Sequence, residues 1–256
     1  MTEEQPVFAE ERRQRILTML DAQGRVRIAE LVTMMGVSEP TIRKDLTTLE
    51  EQKLLRRTHG GAIAVRPHFE PTIDDRFGLH GDAKDLISRA CMEEIAEGDS
   101  VYLDGGTTVQ RIAEHLEQQS VNVLTNAIGV ATTLAEKPGI RHTLLGGSLR
   151  PLGGTIVGPV ALYTLGRFTV NIAFISASGF TAEGISVADV ADAQVKQAVI
   201  ERARRVIVPI DSSKFGVNDF VTVCDLGPID TVITERASAE IQALCALNSI
   251  KLRIVT

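Results

Sequence analysis

Met35-Gly36-Val37-Ser38-Glu39-Pro40-Thr41-Ile42-Arg43-Lys44-Asp45-Leu46 decides the reading of the first quarter of the chain. Ile28, Leu31, Val32 and Met35 lead into it at helical spacing, and Gly36 stops that helix where a left-handed cap residue belongs. Ser38 is placed to cap the next helix. Pro40 falls in its first turn, where a missing N–H removes no bond. Ile42, Leu46 and Leu49 then recur at i, i+4 and i+7 and face inward, so Thr41, Arg43, Lys44 and Thr47 flank or oppose the buried stripe. Two helices joined by a tight turn, the second polar and cationic over its N-terminal half, form a helix-turn-helix over about residues 26–45.

Working outward, Glu10 to Gln23 carries Ile16, Leu17 and Leu20 on one face and ends at Gly24, followed by a β-prone run from Arg25 to Arg27. On the other side, Leu54 to Thr58, the turn His59-Gly60-Gly61 and Ala62 to Val65 read as two short strands, a wing. Lys53, Arg56, Arg57 and Arg66 lie between Gln52 and Phe69 with no acid among them. A winged helix-turn-helix domain is therefore expected over residues 8–66. Its candidate DNA contacts are Ser38, Pro40, Thr41, Arg43, Lys44 and Thr47, with Arg57, His59 and Gly60 from the wing. Hydroxyls and helix-terminal amides suit phosphates, and Arg43 or Lys44 suits base edges. A module that binds another protein is the alternative, and it predicts no salt-dependent DNA affinity.

The 256 residues are 44% hydrophobic and 23% charged, an ordinary globular composition. A net charge of −6 argues against coating nucleic acid over the whole surface, but the charge is uneven: 11 Lys and Arg meet 10 Asp and Glu up to Arg66, then 16 meet 23. No run approaches the roughly 18 apolar residues of a membrane span, and Glu3, Glu4, Glu10 and Glu11 replace the basic head of a signal peptide. A cytoplasmic location with no membrane partner is the expectation. Cys91, Cys224 and Cys245 are far apart, and the five histidines show no ligand spacing, so no metal is expected.

Residues 67–81, with Pro67 and Pro71 and no sustained periodicity, read as a linker or as a structured arm that crosses to a partner subunit. From Asp82 to Thr256 apolar runs alternate with helical patterns. Strands are expected at Ser100 to Leu103, Val121 to Leu124, Arg141 to Leu145, Asn171 to Ser176, Arg205 to Ile210, Thr231 to Thr234 and Lys251 to Val255. Such alternation predicts an α/β domain, Rossmann-like, with a mainly parallel sheet covered on both faces. Ligands of such sheets bind beyond the carboxyl ends of strands. There stand Asp104, Gly105, Gly106, Thr107 and Thr108, then Thr125 and Asn126, Gly147, and Asp211 and Lys214, with Lys196 on a preceding helix. Singly these read equally as turns, caps and solvated lysines. Jointly they suit a small anion, with glycines for close approach, helix-terminal amides and lysines for charge, and aspartates for hydroxyls.

Val37-Ser38-x-x-Thr41-Ile42-Arg43-Lys44-Asp45-Leu46, Leu49-Glu50 and Arg57-x-His59-Gly60-Gly61-Ala62 together resemble the signature of the DeoR-type bacterial transcriptional regulators. Asp104-x-Gly106-Thr107-Thr108, Thr125-Asn126 and Asp211-Ser212-Ser213-Lys214-Phe215 extend the resemblance to the second domain. It implies a C-terminal fold similar to ribose-5-phosphate isomerases and coenzyme A transferases, operator DNA and a phosphorylated sugar as partners, and a homodimer or homotetramer. It implies a repressor of a sugar or sugar-alcohol operon. Two positions depart from the pattern: Lys44 stands where a second Arg is common, and Gly105 where Ser or Ala is common.

The alternative is a sugar-phosphate isomerase-like enzyme carrying a DNA-binding module. Where the resembled isomerases place an acidic cluster, this chain has Ser176-Ala177-Ser178-Gly179-Phe180, leaving Glu183, Asp189 and Asp192 as possible bases. No nucleophile elbow, P-loop or dinucleotide fingerprint is present, so no cofactor and no catalytic residue are expected.

Overall fold

The structure, a computed structural model, describes residues 9–23, 25–51, 54–58, 60–64, 73–77, 79–117 and 120–256. The chain divides into two compact units, Met1–Phe69 and Glu70–Thr256.

In the first unit, α1 (Ala9–Gln23) is followed by β1 (Arg25–Arg27), α2 (Ile28–Met35), α3 (Glu39–Glu51), β2 (Leu55–Thr58) and β3 (Gly61–Ala64). Ile16 and Leu20 of α1, Leu31 of α2, and Ile42, Leu46 and Leu49 of α3 form one buried cluster with Leu55 and Ala62. Gly36 sits at φ +63 and returns its N–H to the Val32 carbonyl (3.1 Å), which ends α2 and sets up the turn. The β-prone run at Arg25 becomes a third strand: β1 pairs with β3 and β3 with β2, all antiparallel. Gly24 and His59 lie outside the described residues.

The second unit begins with α4 (Ile73–Phe77), inside the stretch expected as a linker; residues 65–72 and 78 lie outside the described residues. Then come α5 (Gly81–Met92), β4 (Ser100–Leu103), α6 (Thr107–His115), β5 (Asn122–Thr125), α7 (Ile128–Ala135), β6 (Arg141–Leu144), β7 (Ser148–Arg150), β8 (Thr155–Val157), α8 (Pro159–Leu165) and β9 (Val170–Phe174). The rest is β10 (Gly179–Thr181), β11 (Gly184–Val187), α9 (Val190–Ile200), β12 (Ala203–Pro209), β13 (Val221–Cys224), β14 (Thr231–Thr234), α10 (Ala239–Leu247) and β15 (Lys251–Ile254). Each of the seven expected strands forms, and they make one sheet in the order β15-β14-β12-β9-β4-β5-β6 with every pairing parallel. Separate apolar clusters line its two faces.

That order winds one way from β4 to β6 and the other way from β9 to β15, so the direction reverses between β4 and β9. Loops that leave neighbouring strands toward opposite faces part there and open a crevice at the carboxyl ends. Two antiparallel additions, the hairpin β7-β8 and the small sheet β10-β11-β13, lie outside the parallel sheet.

Candidate functional site

On the first unit, α3 presents its polar face as expected. Ser38 accepts backbone bonds from Thr41 (3.0 Å) and Ile42 (3.2 Å) and shares a hydroxyl bond with Thr41 (2.9 Å). Arg43 and Lys44 are exposed, with Arg43 held by Glu39 one turn earlier (2.6 Å). Thr47 is tied inward: it donates to the Arg43 carbonyl (2.9 Å) and accepts from the Arg57 guanidinium (2.7 Å). The Arg57 N–H meets the Glu50 carboxylate (2.7 Å), so Arg57 locks the wing to α3. Gly60 is exposed, and its carbonyl accepts from the Ile28 amide (2.8 Å).

Two features of this unit were not legible beforehand. Asp45, buried in α3, receives Arg12 of α1 at 2.5 Å and Arg13 at 3.8 Å, ion pairs that fix α3 to α1. Arg25 and Arg27 of β1 are exposed, and the β1-β3-β2 register sets Arg25 and Arg56 on one face of the sheet across Ile63. Pairs opposite each other in a ladder share a face, so the wing turns a row of cations outward.

In the second unit, Asp104 leaves β4 at the point where the sheet reverses. Its Oδ2 accepts from the Ser176 amide (2.9 Å), the Ser176 hydroxyl (2.8 Å) and the Lys196 ammonium. Lys196 of α9 also meets the Ser176 hydroxyl (3.0 Å) and Asp192 (3.3 Å). It is thus neutralised by carboxylates at the carboxyl end of β4, the crevice in which it was expected. Burial opposes the charge on Lys196, but Asp104 and Asp192 overcome it and hold the ammonium above its usual range. Burial pushes the Asp104 carboxyl up, with Lys196 pulling against it.

Gly106 sits at φ +154, and a Cβ there would stand 2.8 Å from Cβ of Ser176, so glycine is required by both conformation and space. A Cβ on Gly105 would collide with the methyl of Thr155. Thr107 and Thr108 open α6, whose N-terminus has no side-chain cap, and α7 beside it likewise has none. Thr125 is committed to backbone, donating to Leu103 (2.6 Å) and accepting from Ala127 (3.0 Å). Asn126 donates to Ile156 (3.1 Å), leaving its Oδ1 buried. Asp211 caps the short turn Ser212–Lys214 that carries half-buried Lys214. Gly147 is exposed in the turn between β6 and β7, at φ +150, where a Cβ would stand 2.8 Å from the Val157 carbonyl oxygen.

Arg76 and Lys84 are the site residues that sequence reading missed. Lys84 is buried on α5, donates to the Arg76 carbonyl (2.6 Å), and interacts electrostatically with Asp211, Lys214, Arg111 and Arg76. Burial, reinforced by those cations against Asp211, pushes it down to about 8. Arg76 faces Asp192 and Asp104, and burial works against its charge. Arg76, Lys84, Lys196 and Lys214 thus gather with Asp104, Asp192 and Asp211 on a chain of net charge −6, and Arg111, beside Lys84, pairs with Asp85 (3.9 Å). Oδ1 of Asp104, Asp192 and Asn126 and the hydroxyl of Thr155 are buried without hydrogen-bond partners among the described residues. A cavity of about 160 Å³ is walled by Gly106 and Gln110 of α6, Ala127, Gly129 and Val130 at α7, the Gly153-Gly154 turn, and Ile73 and Phe77 of α4, with none of these charged residues in its lining.

Of the three acids left open as bases, Asp189 caps α9 and pairs with Arg150 (3.3 Å), Asp192 meets Lys196 through Oδ2 (3.3 Å), and Glu183 is exposed beside Asn218. Burial raises the thiols of Cys91, Cys224 and Cys245, which keeps them protonated. Among the described residues, no group of three or more His, Cys, Asp or Glu side chains is placed to hold a metal, and no helix is long and apolar enough to cross a membrane.

Residues 12–68 match the DeoR-like helix-turn-helix domain, and residues 79–236 match the DeoR C terminal sensor domain. The chain is 36% identical to the HTH-type transcriptional repressor GlcR of Bacillus subtilis over 94% of its own length and 93% of that protein. It is 34% identical to the Glycerol-3-phosphate regulon repressor of Escherichia coli (86% and 88%) and 30% identical to the Lactose phosphotransferase system repressor of Streptococcus mutans (88% and 92%). Among solved structures, ribose 5-phosphate isomerase A of Methanocaldococcus jannaschii overlaps 53% of this chain and 54% of its own at 15% identity and a TM-score of 0.40. The relatives are named as repressors and not as enzymes. Helix-turn-helix and sensor domain together make the chain a member of the DeoR family of transcriptional regulators.

Proposed function

We propose that the protein represses a carbohydrate-utilisation operon in the cytoplasm as a dimer or tetramer, and that a phosphorylated sugar bound in the crevice of the second unit controls its operator affinity. Within residues 8–66, Arg43 and Lys44 address base edges, and the wing and the α3 N-terminus sit against phosphates. Symmetric half-sites call for at least a dimer.

One observation carries the ligand class: cations gather at the crevice on an otherwise acidic protein, beside buried oxygen acceptors that want donors. Cations and uncapped helix N-termini suit a phosphate, and carboxylate and amide oxygens suit sugar hydroxyls. Asp104, Gly105, Gly106, Thr107, Thr108, Asn126, Asp211 and Lys214 are the proposed contacts from the strand ends, with Lys196 orienting Asp104. The names of the Escherichia coli and Streptococcus mutans relatives, which concern glycerol 3-phosphate and a phosphotransferase system, support the same class.

The test is fluorescence polarisation on DNA from upstream of the protein's own gene, titrated with sugar phosphates and their unphosphorylated parents. A change caused by one phosphorylated sugar alone is the expected result. DNA binding that no sugar phosphate alters removes the effector, and absence of DNA binding removes the regulator.

A further inference from the structure

We propose that the outer face of the wing sheet is a second DNA contact, in which Arg27 and Arg56, flanked by Arg25, hold phosphates outside the groove that α3 reads and add affinity without sequence preference. This rests on the operator reading of the first unit. It also moves the phosphate grip of the sheet from Arg57, the cation expected there, to the opposite face.

Strand alternation is the first argument. Successive residues of a strand face opposite ways, and the register lines up Val26, Ala62 and Arg57 on one face and Arg25, Ile63 and Arg56 on the other. Val26 and Ala62 are buried in the core of the unit, so Arg57 belongs to the inner face, where its guanidinium meets Thr47 (2.7 Å) and its amide meets Glu50 (2.7 Å). Arg25, Arg27 and Arg56 are exposed on the outer face, and none of the three strands contains an acid. Of the described arginines elsewhere in the unit, Arg12 and Arg13 go to Asp45, Arg15 to Glu11 and Arg43 to Glu39. Arg27 and Arg56 have no carboxylate partner among the described residues.

Position and spacing are the second. Arg27 immediately precedes α2 in extended conformation (φ −103, ψ 141), and the Ile28 amide after it donates to the Gly60 carbonyl (2.8 Å), so the wing turn and the end of β1 meet at the start of α2. In a helix-turn-helix on DNA the first helix crosses the phosphate backbone while the second lies in the major groove, which brings this end of the sheet beside phosphates. Two residues along β1 set Arg25 and Arg27 about 7 Å apart, and two ladder steps set Arg25 and Arg56 about 10 Å apart. Those separations lie within about one Debye length at 0.1 M salt, so the charges repel one another and a polyanion relieves the repulsion. Duplex DNA carries one charge per about 1.7 Å of its axis, which offers several phosphates to a patch of this size.

The experiment is fluorescence polarisation of the full chain on two duplexes, DNA from upstream of the protein's own gene and a random sequence of the same length, each at about 50 and about 200 mM salt. Wild type is compared with a double variant carrying Arg27→Gln and Arg56→Gln, and with another carrying Arg27→Lys and Arg56→Lys. Each phosphate contact adds about 0.9 to the slope of log affinity against log salt, so this rise in salt weakens binding about 3.5-fold per contact. The glutamine variant is expected to lose about 12-fold of the salt-induced weakening on both duplexes alike, with operator preference within about twofold of wild type and the lysine variant keeping the wild-type slope. Wild type that binds both duplexes, with the slope unchanged in the glutamine variant, overturns the phosphate face and leaves the operator reading standing; the face then belongs to solvent or to another protein. A glutamine variant that loses its operator preference overturns the separation of grip from readout. Lysines that lose the slope as glutamines do overturn charge as its cause. Absence of DNA binding by wild type overturns this proposal and the operator reading together.

Discussion

Gly105→Ser tests whether Thr155 has taken the space that a side chain at position 105 would need. No strained dihedral bars a side chain at Gly105; the obstacle is the Thr155 methyl, with Thr155 Cβ at 3.5 Å and Ala127 Cβ at 3.8 Å in ordinary contact. Thr155 is 2% exposed and pinned by its pairing with Arg150 and its bridge to Ala127, so it yields only by leaving its rotamer. Overpacking of this kind costs about 1–3 kcal/mol. For a unit of this size, each kcal/mol lowers the melting temperature by about 2–4 °C, so Gly105→Ser should lose roughly 4–8 °C at a mid-range cost of about 2 kcal/mol. Thr155→Ser, which removes the offending methyl and keeps the hydroxyl, should lose only about 1 kcal/mol alone. The double variant should return to within about 1 kcal/mol of wild type, a coupling that independent sites do not show. The assay is built into the composition: the chain has no Trp, and its two tyrosines, Tyr102 and Tyr163, both lie in the second unit, so tyrosine fluorescence reports unfolding of that unit alone. Gly105→Ser as stable as wild type, or a double variant no better than the sum of the singles, refutes the packing argument.

Lys84 makes ligand affinity depend on pH. With its ammonium at about 8 against an ordinary 10.5, and Asp211, Lys214, Arg111 and Arg76 facing it, a bound phosphate favours the charged form; affinity should hold near pH 7 and fall about tenfold as pH rises through 8 to 9.5, and Lys84→Arg should flatten the profile. Stability runs the other way: the unfolded chain keeps that proton to about 10.5, so the folded state gains as pH rises from 8 toward 10.5, which denaturant titrations at pH 7.5 and 9.5 would show. Asp45→Ala breaks the buried pair with Arg12 and should destabilise the first unit by about 3 kcal/mol while tyrosine-monitored unfolding is unchanged; circular dichroism of residues 1–69 against the full chain separates the two. Arg43→Ala, exposed on α3, should abolish preference for operator over random DNA in polarisation titrations and leave sugar-phosphate affinity intact; loss of both would mean misfolding.

The parts of this protein that were legible in sequence are those where local chemistry and tertiary structure agree. Gly36, Ser38 and Pro40 punctuate two helices whose apolar spacing places Ile42, Leu46 and Leu49 inward, and the structure buries all three. The five inner strands of the parallel sheet are short, largely apolar runs between polar loops, while the edge strands Arg141–Leu144 and Lys251–Ile254 carry charged and exposed residues and are legible through the strand–helix alternation. The hairpin β7-β8 and the small sheet β10-β11-β13 were missed because their strands stand outside the strand–helix alternation that marks the parallel sheet.

The crevice divides along the same line. Asp104 and the residues after it follow a strand end and could be read from the loop they occupy. Arg76 sits in Ile73-Asp74-Asp75-Arg76-Phe77, which has the composition of a solvated connection, and Lys84 sits on a helix where an isolated lysine reads as surface. Periodicity reports which way a side chain faces relative to its own element, and it is silent on what another element brings opposite. The Arg12–Asp45 pair, 33 positions apart, and the Lys196–Asp104 pair, 92 apart, are invisible for the same reason. A loop at a strand end can therefore be nominated from sequence, but the cations that would make it a phosphate site converge from α4, α5, α6 and the turn at Ser212, and that convergence exists only in the folded chain.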